Sequence, residues 1–156
     1  MWRTMTEMAR TSSSDPDALL PDLERLARVL VAVTAVAIET EPAARGLTVQ
    51  QWRIHVLLAG AGALRLRDVA LGLHASQPSA SRLVRRLERN GLVERVPAPD
   101  DGRGILVRLT GDGLATHDAV VARRRLMLAS AVRAMAMPAG NGLNLHAVVA
   151  ALEGLI

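Results

Sequence analysis

The sequence contains no cysteine, no lysine, no tyrosine and no phenylalanine. The absence of cysteine excludes disulfide bonds, thiol redox sensing and cysteine-ligated metal sites. The longest nearly apolar run, residues 29–38, is interrupted by Thr34 and is too short to span a bilayer. It also lies too deep in the chain to be a convincing signal peptide. We therefore predict a cytoplasmic protein without a membrane partner.

The local signatures of common enzyme classes are also missing. The sequence has no G-x-x-x-x-G-K phosphate loop, no G-x-S-x-G nucleophile motif and no H-E-x-x-H zinc motif. The four histidines, at positions 55, 74, 117 and 146, show no spacing typical of metal ligands. The sequence therefore predicts neither an enzyme, nor a cofactor, nor a metal site.

The composition is that of one globular domain with a basic charge balance. Half of the 156 residues are apolar, and the formal net charge is +4. All basic residues are arginines, which offer planar, bidentate donors to phosphates and guanine edges. A GC-rich genome is nevertheless the better explanation for the complete absence of lysine.

Residues 76–110 form the most informative stretch. Residues 76–90 read as a helix with Ser76 as its N-cap and Gly91 just beyond its end. An apolar stripe and an arginine face both repeat at helical spacing. A hairpin follows, with strands at residues 92–96 and 105–109. Seven arginines stand against four acidic residues here, which favours a nucleic-acid duplex over the alternative of a merely solvated helix face.

Three helices are predicted before this stretch, and the last of them forms a helix–turn–helix with residues 76–90. Residues 17–41 carry a leucine-rich seam and become apolar almost all round after Val29, and the helix ends before Pro42. The Thr48–Gln51 capping box opens a second helix, residues 49–59, with Trp52, Val56 and Ala59 on its buried side. Residues 64–66 are a candidate strand. The helix at residues 68–73 then pairs with residues 76–90 as a helix–turn–helix.

The remainder of the chain is predicted to be a long helix and a final short one. Thr110 caps a helix that reaches about residue 137, with one face marked by Leu114, Val121, Leu128 and Val132. Residues 143–156 form an apolar last helix. These helices and the first one expose more apolar surface than a small monomer can cover, which predicts a homodimer. A central helix in a monomeric bundle is the alternative. Residues 1–16 are predicted to be a disordered arm.

Several motifs resemble those of the MarR family of winged helix–turn–helix transcription regulators. They are S-R-L-V-x-R-L-E-x-x-G-L-V-E-R within residues 77–95, D-x-R at residues 101–103, and L-T-x-x-G at residues 109–113. The resemblance covers roughly residues 17–155. The chain departs from the family pattern at Gly102, where a basic residue is frequent, and at Gly111, where a charged residue or proline is usual.

The resemblance implies a mainly α fold with a small β-hairpin wing. Residues 17–156 would form a single MarR-type domain, with a winged helix–turn–helix at 47–110 and dimerisation helices at 17–41 and 111–156. It also implies a homodimer that acts as a repressor and reads pseudo-palindromic duplex DNA. A small aromatic or phenolic ligand would release it from the DNA. The rival hypothesis is a winged helix that serves only protein interaction or dimerisation.

Each candidate DNA contact follows from the chemistry of its side chain. Gln77 suits adenine and Arg82 suits guanine, while Ser76, Ser79 and Ser81 suit bases or phosphates. Phosphate contacts are predicted for Arg85, Arg86 and Arg89. Arg95 and Arg108 lie on the hairpin strands, where they face either the DNA backbone or the solvent side of the hairpin. Arg103 is predicted to enter a minor groove. Asp101 would orient Arg95 or Arg103, or else stabilise the turn through its own side chain.

A ligand pocket is predicted from the family's usual location between the first, second and fifth helices. Trp52, His55 and His117 are the candidate lining residues. In the alternative, Trp52 is a core residue and both histidines are surface or capping residues.

Overall fold

The computed structural model describes residues 19–99, 104–134 and 145–154. This part of the chain forms six α-helices and three β-strands, which confirms a mainly α fold with a small wing. In chain order they are α1 (Leu20–Thr40), α2 (Val49–Ala61), β1 (Ala63–Arg65), α3 (Leu66–Gly72), α4 (Gln77–Arg89), β2 (Val93–Pro97), β3 (Ile105–Leu109), α5 (Gly111–Ala134) and α6 (Leu145–Glu153). The predicted arm at residues 1–16 lies outside the described residues, as do Asp101 and Arg103.

The helix starts are fixed by the capping residues that the sequence predicted. At α2 the Gln51 backbone N–H donates to Thr48 Oγ1 at 3.2 Å, and the Thr48 N–H donates to Gln51 Oε1 at 2.9 Å. At α4 the Ser79 N–H donates to Ser76 Oγ at 3.4 Å. Gly91 follows α4 with φ of 72°, a backbone conformation that favours glycine. These local signals were therefore read correctly.

The three strands form one antiparallel sheet in the order β1-β3-β2. Leu64 of β1 lies opposite Val107 of β3, and Arg95 of β2 lies opposite the same residue on the other side. The prediction of a strand at 64–66 and a helix at 68–73 was wrong by one to two residues, because β1 ends at Arg65 and α3 begins at Leu66. The pairing with β3, distant in sequence, sets this boundary.

Two apolar clusters hold these elements together. The larger one joins α2, α3, α4 and the sheet, and its fully buried residues include Ile54, Val69, Val84, Leu87 and Val107. The smaller one packs α1 against α5 and α6 through Val29, Val33, Ala131 and Leu152. The larger cluster therefore fixes how α4 and the wing sit relative to each other.

The predicted buried face of α2 was partly wrong. Trp52 is buried, but Val56 is 47% exposed and Ala59 is also exposed. Ile54, His55 and Leu58 are buried instead. Because α2 contacts α4, α5 and β3, it is covered on more than one side, and a single apolar stripe does not describe it. Gly62, rather than Gly60, follows the end of this helix.

The predicted face of α5 was displaced by about one residue. Leu114 and Val132 are exposed, whereas Thr116, Val120 and Ala131 are buried. Gly113 is buried as well, so the true stripe begins with small residues that let neighbouring backbone approach closely. An apolarity count overlooks such residues. The predicted continuation to residue 137 lies outside the described residues, and the last helix is described from Leu145 to Glu153.

The first helix also differs from its prediction in its outward face. Val33 and Ala37 of the predicted seam are buried, but the seam's N-terminal leucines are not: Leu19 is 52% exposed and Leu23 is 47% exposed. Leu30 is exposed too. One chain therefore leaves a leucine-rich surface on α1 uncovered. Among the described residues, no helix has both the length and the apolarity needed to cross a membrane.

Candidate nucleic-acid interface

Helix α4 has one face in the core and one face in solvent. Ala80, Val84 and Leu87 have no accessible surface. The opposite face carries exposed arginines, and Gln77 and Ser76 are exposed at its N-terminal end, while Ser79 and Ser81 are half-buried. The exposed arginines are Arg82, Arg85, Arg86 and Arg89. Because the apolar face is packed in the core, the arginine face of α4 points to solvent.

The arginines of α4 differ from those of the wing in their ion pairs. In the described part of the chain, no acidic side chain pairs with an arginine of α4. In contrast, Arg95 Nε lies 3.2 Å from Glu88 Oε2, and Arg108 Nε lies 2.8 Å from Glu94 Oε1. Arg95 thus has Glu88 as a partner. The role predicted for Asp101, to orient Arg95 or Arg103, stays a prediction because Asp101 lies outside the described residues. Of the described arginines in these two elements, only those of α4 lack an acidic partner.

A short hydrogen-bond chain organises the N-terminal turns of α4. Ser76 Oγ donates to Ser79 Oγ at 3.0 Å, and Arg82 Nη2 donates to the same Ser79 oxygen at 3.1 Å. Ser79 therefore restricts the Arg82 guanidinium while its own hydroxyl proton is left to donate elsewhere. This arrangement gives Ser79 a positioning role that the sequence did not predict.

A cleft opens where α2 passes the N-terminal end of α4. It has a volume of about 260 Å³, and its polar rim contains Gln50, Arg53, Ser76 and Ser79. Sequence reasoning missed Gln50 and Arg53. The signal was present, because these two exposed polar residues stand three positions apart on a helix that is otherwise largely apolar.

The wing is closed at its base by a hydrogen bond from the Ala98 N–H to the Gly104 carbonyl oxygen, at 2.8 Å. The tip predicted to carry Arg103 and Asp101 lies outside the described residues. The wing strands themselves are anchored in the core through Val93 and Val107, which are buried. The sheet therefore holds the base of the wing beside α4.

The three residues predicted to line a ligand pocket come together as a stack of rings. The Trp52 ring centroid lies 5.0 Å from that of His117 and 6.0 Å from that of His55, with interplanar angles of 15° and 24°. Trp52 and His55 are buried, and His117 is half-buried. Trp52 belongs to the larger apolar cluster, as the alternative predicted, but His55 is buried and is neither a surface nor a capping residue. That these rings line a ligand pocket stays a prediction.

The two imidazoles lie in an environment that disfavours their charged form. Among the described residues, neither ring nitrogen of His55 makes a hydrogen bond of standard geometry, and His117 Nδ1 makes none either. The Gly113 backbone lies close enough to His55 to favour the charged form weakly. Burial, with a smaller contribution from His117, lowers the pKa of His55 to about 4, although the Gly113 backbone opposes this fall. Burial also lowers the pKa of His117. Both rings are thus held as neutral bases.

Acid should destabilise the protein through His55. Since its pKa is about 4 in the folded protein and 6.5 in a model peptide, the unfolded chain binds more protons between these values. Stability should therefore be full above pH 6.5 and fall as the pH drops towards 4, by about 3 kcal/mol for this group. His117 acts in the same direction. Urea unfolding across this pH range measures the effect.

A histidine-to-leucine change provides the matched comparison. His55→Leu should remove most of this pH dependence, whereas His74→Asn, at an exposed turn position with φ of 52°, should leave it in place. An unchanged acid dependence in His55→Leu would show that another group is responsible.

The arrangement of α3, α4 and the β2–β3 hairpin defines the class of the protein. A helix–turn–helix that is followed directly by an antiparallel wing is a winged helix–turn–helix. Residues 45–104, which contain all three of these elements except the final strand, match the MarR family model. The resemblance of this segment to the MarR family is thereby confirmed.

Curated relatives with regulatory names match about half of the chain. The chain is 36% identical over 74 residues to the HTH-type transcriptional regulator FarR of Neisseria gonorrhoeae, which covers 47% of this chain and 51% of that protein. It is 36% identical over 72 residues to the homoprotocatechuate degradative operon repressor of Escherichia coli, covering 46% and 49%. The chain thus spans about half the length of the curated relatives it matches.

A solved structure extends the similarity beyond this segment. The crystal structure of RV1404 from Mycobacterium tuberculosis is 28% identical, with a TM-score of 0.71, and the match covers 92% of this chain and 94% of that one. The similarity in fold therefore includes the helices that flank the winged helix–turn–helix.

Proposed function

We propose that the protein is a sequence-specific regulator of transcription that binds double-stranded DNA as a homodimer in the cytoplasm and represses its target. The observation that carries this proposal is the uncompensated arginine face of α4 beside an antiparallel wing. Such a face supplies positive charge that attracts phosphates and hydrogen-bond donors for the acceptor atoms of base edges. The names of the matching relatives, a transcriptional regulator and an operon repressor, support the same function.

The two ends of α4 have different roles in this proposal. Gln77 and Arg82 lie in its N-terminal half and read base edges, with Ser76 and Ser79 holding Arg82 in position. Ser81 contacts a base or a phosphate. The arginines further along the helix and on the wing bind phosphates and set the register of the helix. These are Arg85, Arg86, Arg89 and Arg95, and Arg103 enters the minor groove with Asp101 beside it.

The homodimer rests on the apolar surface that one chain leaves exposed. On α1, Val31 is 65% exposed and Leu23 is 47% exposed; on α5, Leu126 is 63% exposed. Helices α1 and α5 contact each other, and several large apolar side chains exposed on adjacent helices are typical of an interface between subunits. We assign residues 17–41 and 111–156 to that interface and residues 47–110 to DNA binding, within a single domain that spans residues 17–156.

A selection of bound sites from random duplexes tests this function. A dimer with two recognition helices should enrich two inverted half-sites whose centres lie about 34 Å apart, one turn of the duplex. Enrichment of a single half-site would contradict the dimer. Recovery of unselected sequence would favour the rival hypothesis of a winged helix without specific DNA binding.

The stack of Trp52, His55 and His117 is the proposed site for a small aromatic effector. Because Trp52 and His55 are buried, a phenolic ring would enter at the half-buried His117 end of the stack, where its hydroxyl can donate to His117 Nδ1, which has no hydrogen-bond partner among the described residues. The relative named as a homoprotocatechuate operon repressor supports a phenolic ligand.

Homoprotocatechuate is therefore the probe for this site. It should quench the fluorescence of Trp52 and release the selected duplex, and Trp52→Leu should abolish the quenching although Trp2 remains. Release of DNA that is unaffected by Trp52→Leu, or quenching that persists in this variant, would place the effector elsewhere.

A further inference from the structure

We infer that the cleft between α2 and α4 binds one phosphate of the DNA backbone, and that Arg53 of α2 is its main ligand. This inference rests on the proposed function, because it requires a duplex on α4. It adds a second DNA-contacting helix and residues that were not among the predicted contacts. The chemistry is that of a phosphodiester oxyanion held by a guanidinium and a hydroxyl.

The composition of the cleft rim selects an anion. Arg53 and Gln50 contribute from α2, and Ser76 and Ser79 contribute from α4, while no acidic side chain is among the lining residues. Arg53 is exposed and forms no ion pair with any described acidic residue. An arginine with this freedom can orient its planar donors towards a phosphate without first breaking an ion pair.

The hydrogen bonds of Ser79 point to an acceptor in the same place. Its oxygen already accepts from Ser76 Oγ and from Arg82 Nη2, so its remaining polar capacity is the hydroxyl proton. Since Ser79 lines the cleft, its hydroxyl can donate to an acceptor atom of an occupant. Phosphate oxygens satisfy both Ser79 and Arg53.

The position of the cleft explains why the phosphate belongs to DNA. Its rim includes Ser76 and Ser79, which belong to the same turns of α4 as Arg82. A duplex that presents a base edge to Arg82 must pass its backbone close to this rim, because the major groove that admits the helix is only about 12 Å wide. A phosphate in the cleft would fix the register in which Arg82 meets its base.

The first measurement is the salt dependence of duplex binding by the full chain. Arg53→Ala should weaken binding about tenfold or more and reduce the slope of log affinity against log salt by about 0.9 for each protomer. Arg53→Lys should retain the slope, because it retains the charge. The selected base preference should not change. Arg45→Ala, an exposed arginine in the segment between α1 and α2, is the matched control and should bind as the parent does.

The second measurement locates the phosphate. Each phosphate of the selected duplex is replaced in turn by a neutral methylphosphonate. At one position in each half-site, this replacement should weaken duplex binding by the parent protein. It should leave binding by Arg53→Ala unchanged, because the side chain that contacts that phosphate is already absent. Thermal unfolding of Arg53→Ala should match the parent, since the side chain is exposed.

The outcomes separate this inference from the proposed function. If the parent protein fails to bind any duplex, the proposed function is wrong. If the parent binds and Arg53→Ala has the same affinity, slope and methylphosphonate pattern, only the cleft assignment is overturned. Weaker duplex binding on addition of inorganic phosphate at constant ionic strength, with equal slopes for both proteins, would instead identify free phosphate as the occupant and also overturn the assignment.

Discussion

Replacing Gly113 with alanine should destabilise the protein by roughly 2–4 kcal/mol, through overlap with neighbouring backbone. An added Cβ would overlap the carbonyl oxygen of Leu92 and would lie 3.3 Å from Leu109 Cδ2. The carbonyl group cannot move away cheaply, because it accepts the Thr110 N–H at 3.2 Å. Urea unfolding followed by circular dichroism measures the loss.

The first turn of α5 explains why Gly113 is tightly packed, and it also contains a control position for Gly113→Ala. Thr110 Oγ1 donates to the Gly91 carbonyl oxygen at 2.6 Å and accepts the Gly113 N–H at 3.0 Å, so the start of α5 is joined to the end of α4. Gly111 lies in the same helical turn, but an added Cβ there meets no atom within 4 Å. Gly111→Ala should therefore stabilise the protein by about 0.5–1 kcal/mol. Equal stability of the two variants would contradict this account of the L-T-x-x-G motif.

Removing two arginines from the outer face of α4 should have the largest effect on DNA binding. Arg85→Ala combined with Arg86→Ala would delete four phosphate contacts from a dimer, which lowers the salt slope by about 3.6 and the affinity by about two to four orders of magnitude. The base preference should remain, because phosphates carry no sequence information. Binding titrations on the selected duplex at several salt concentrations measure both quantities.

Arg82→Ala is the comparison that separates reading from positioning. It should cost about 1–3 kcal/mol for each contact and relax the preference at one base position of each half-site. The salt slope should change little. If the double variant loses sequence preference and Arg82→Ala loses only salt dependence, the roles assigned to the two parts of α4 are reversed.

The elements that carry the site could be predicted from sequence because their signals are local. Ser76, Thr48 and Gly91 mark helix ends through contacts within a few residues, and the two faces of α4 follow from spacing alone. These features need no knowledge of the remaining chain.

The features that were missed depend on contacts between distant segments. Gly113 and Thr116 are buried because other backbone approaches them, and their small side chains give no apolar signal. Arg53 became a candidate contact only when α2 was placed beside the start of α4. The burial of His55 required the stack with Trp52 and the packing of α5 on α2. Such arrangements follow from tertiary packing, which a stretch of sequence read alone does not contain.

The central claim is that two chains place two copies of α4 on one duplex. Sedimentation equilibrium of the protein alone and with a duplex carrying both selected half-sites tests it most directly. We expect a dimer without DNA and a complex of two chains per duplex, which dissociates as salt increases. A monomer that remains monomeric at working concentration, or a protein that ignores the duplex even in dilute buffer, would contradict it.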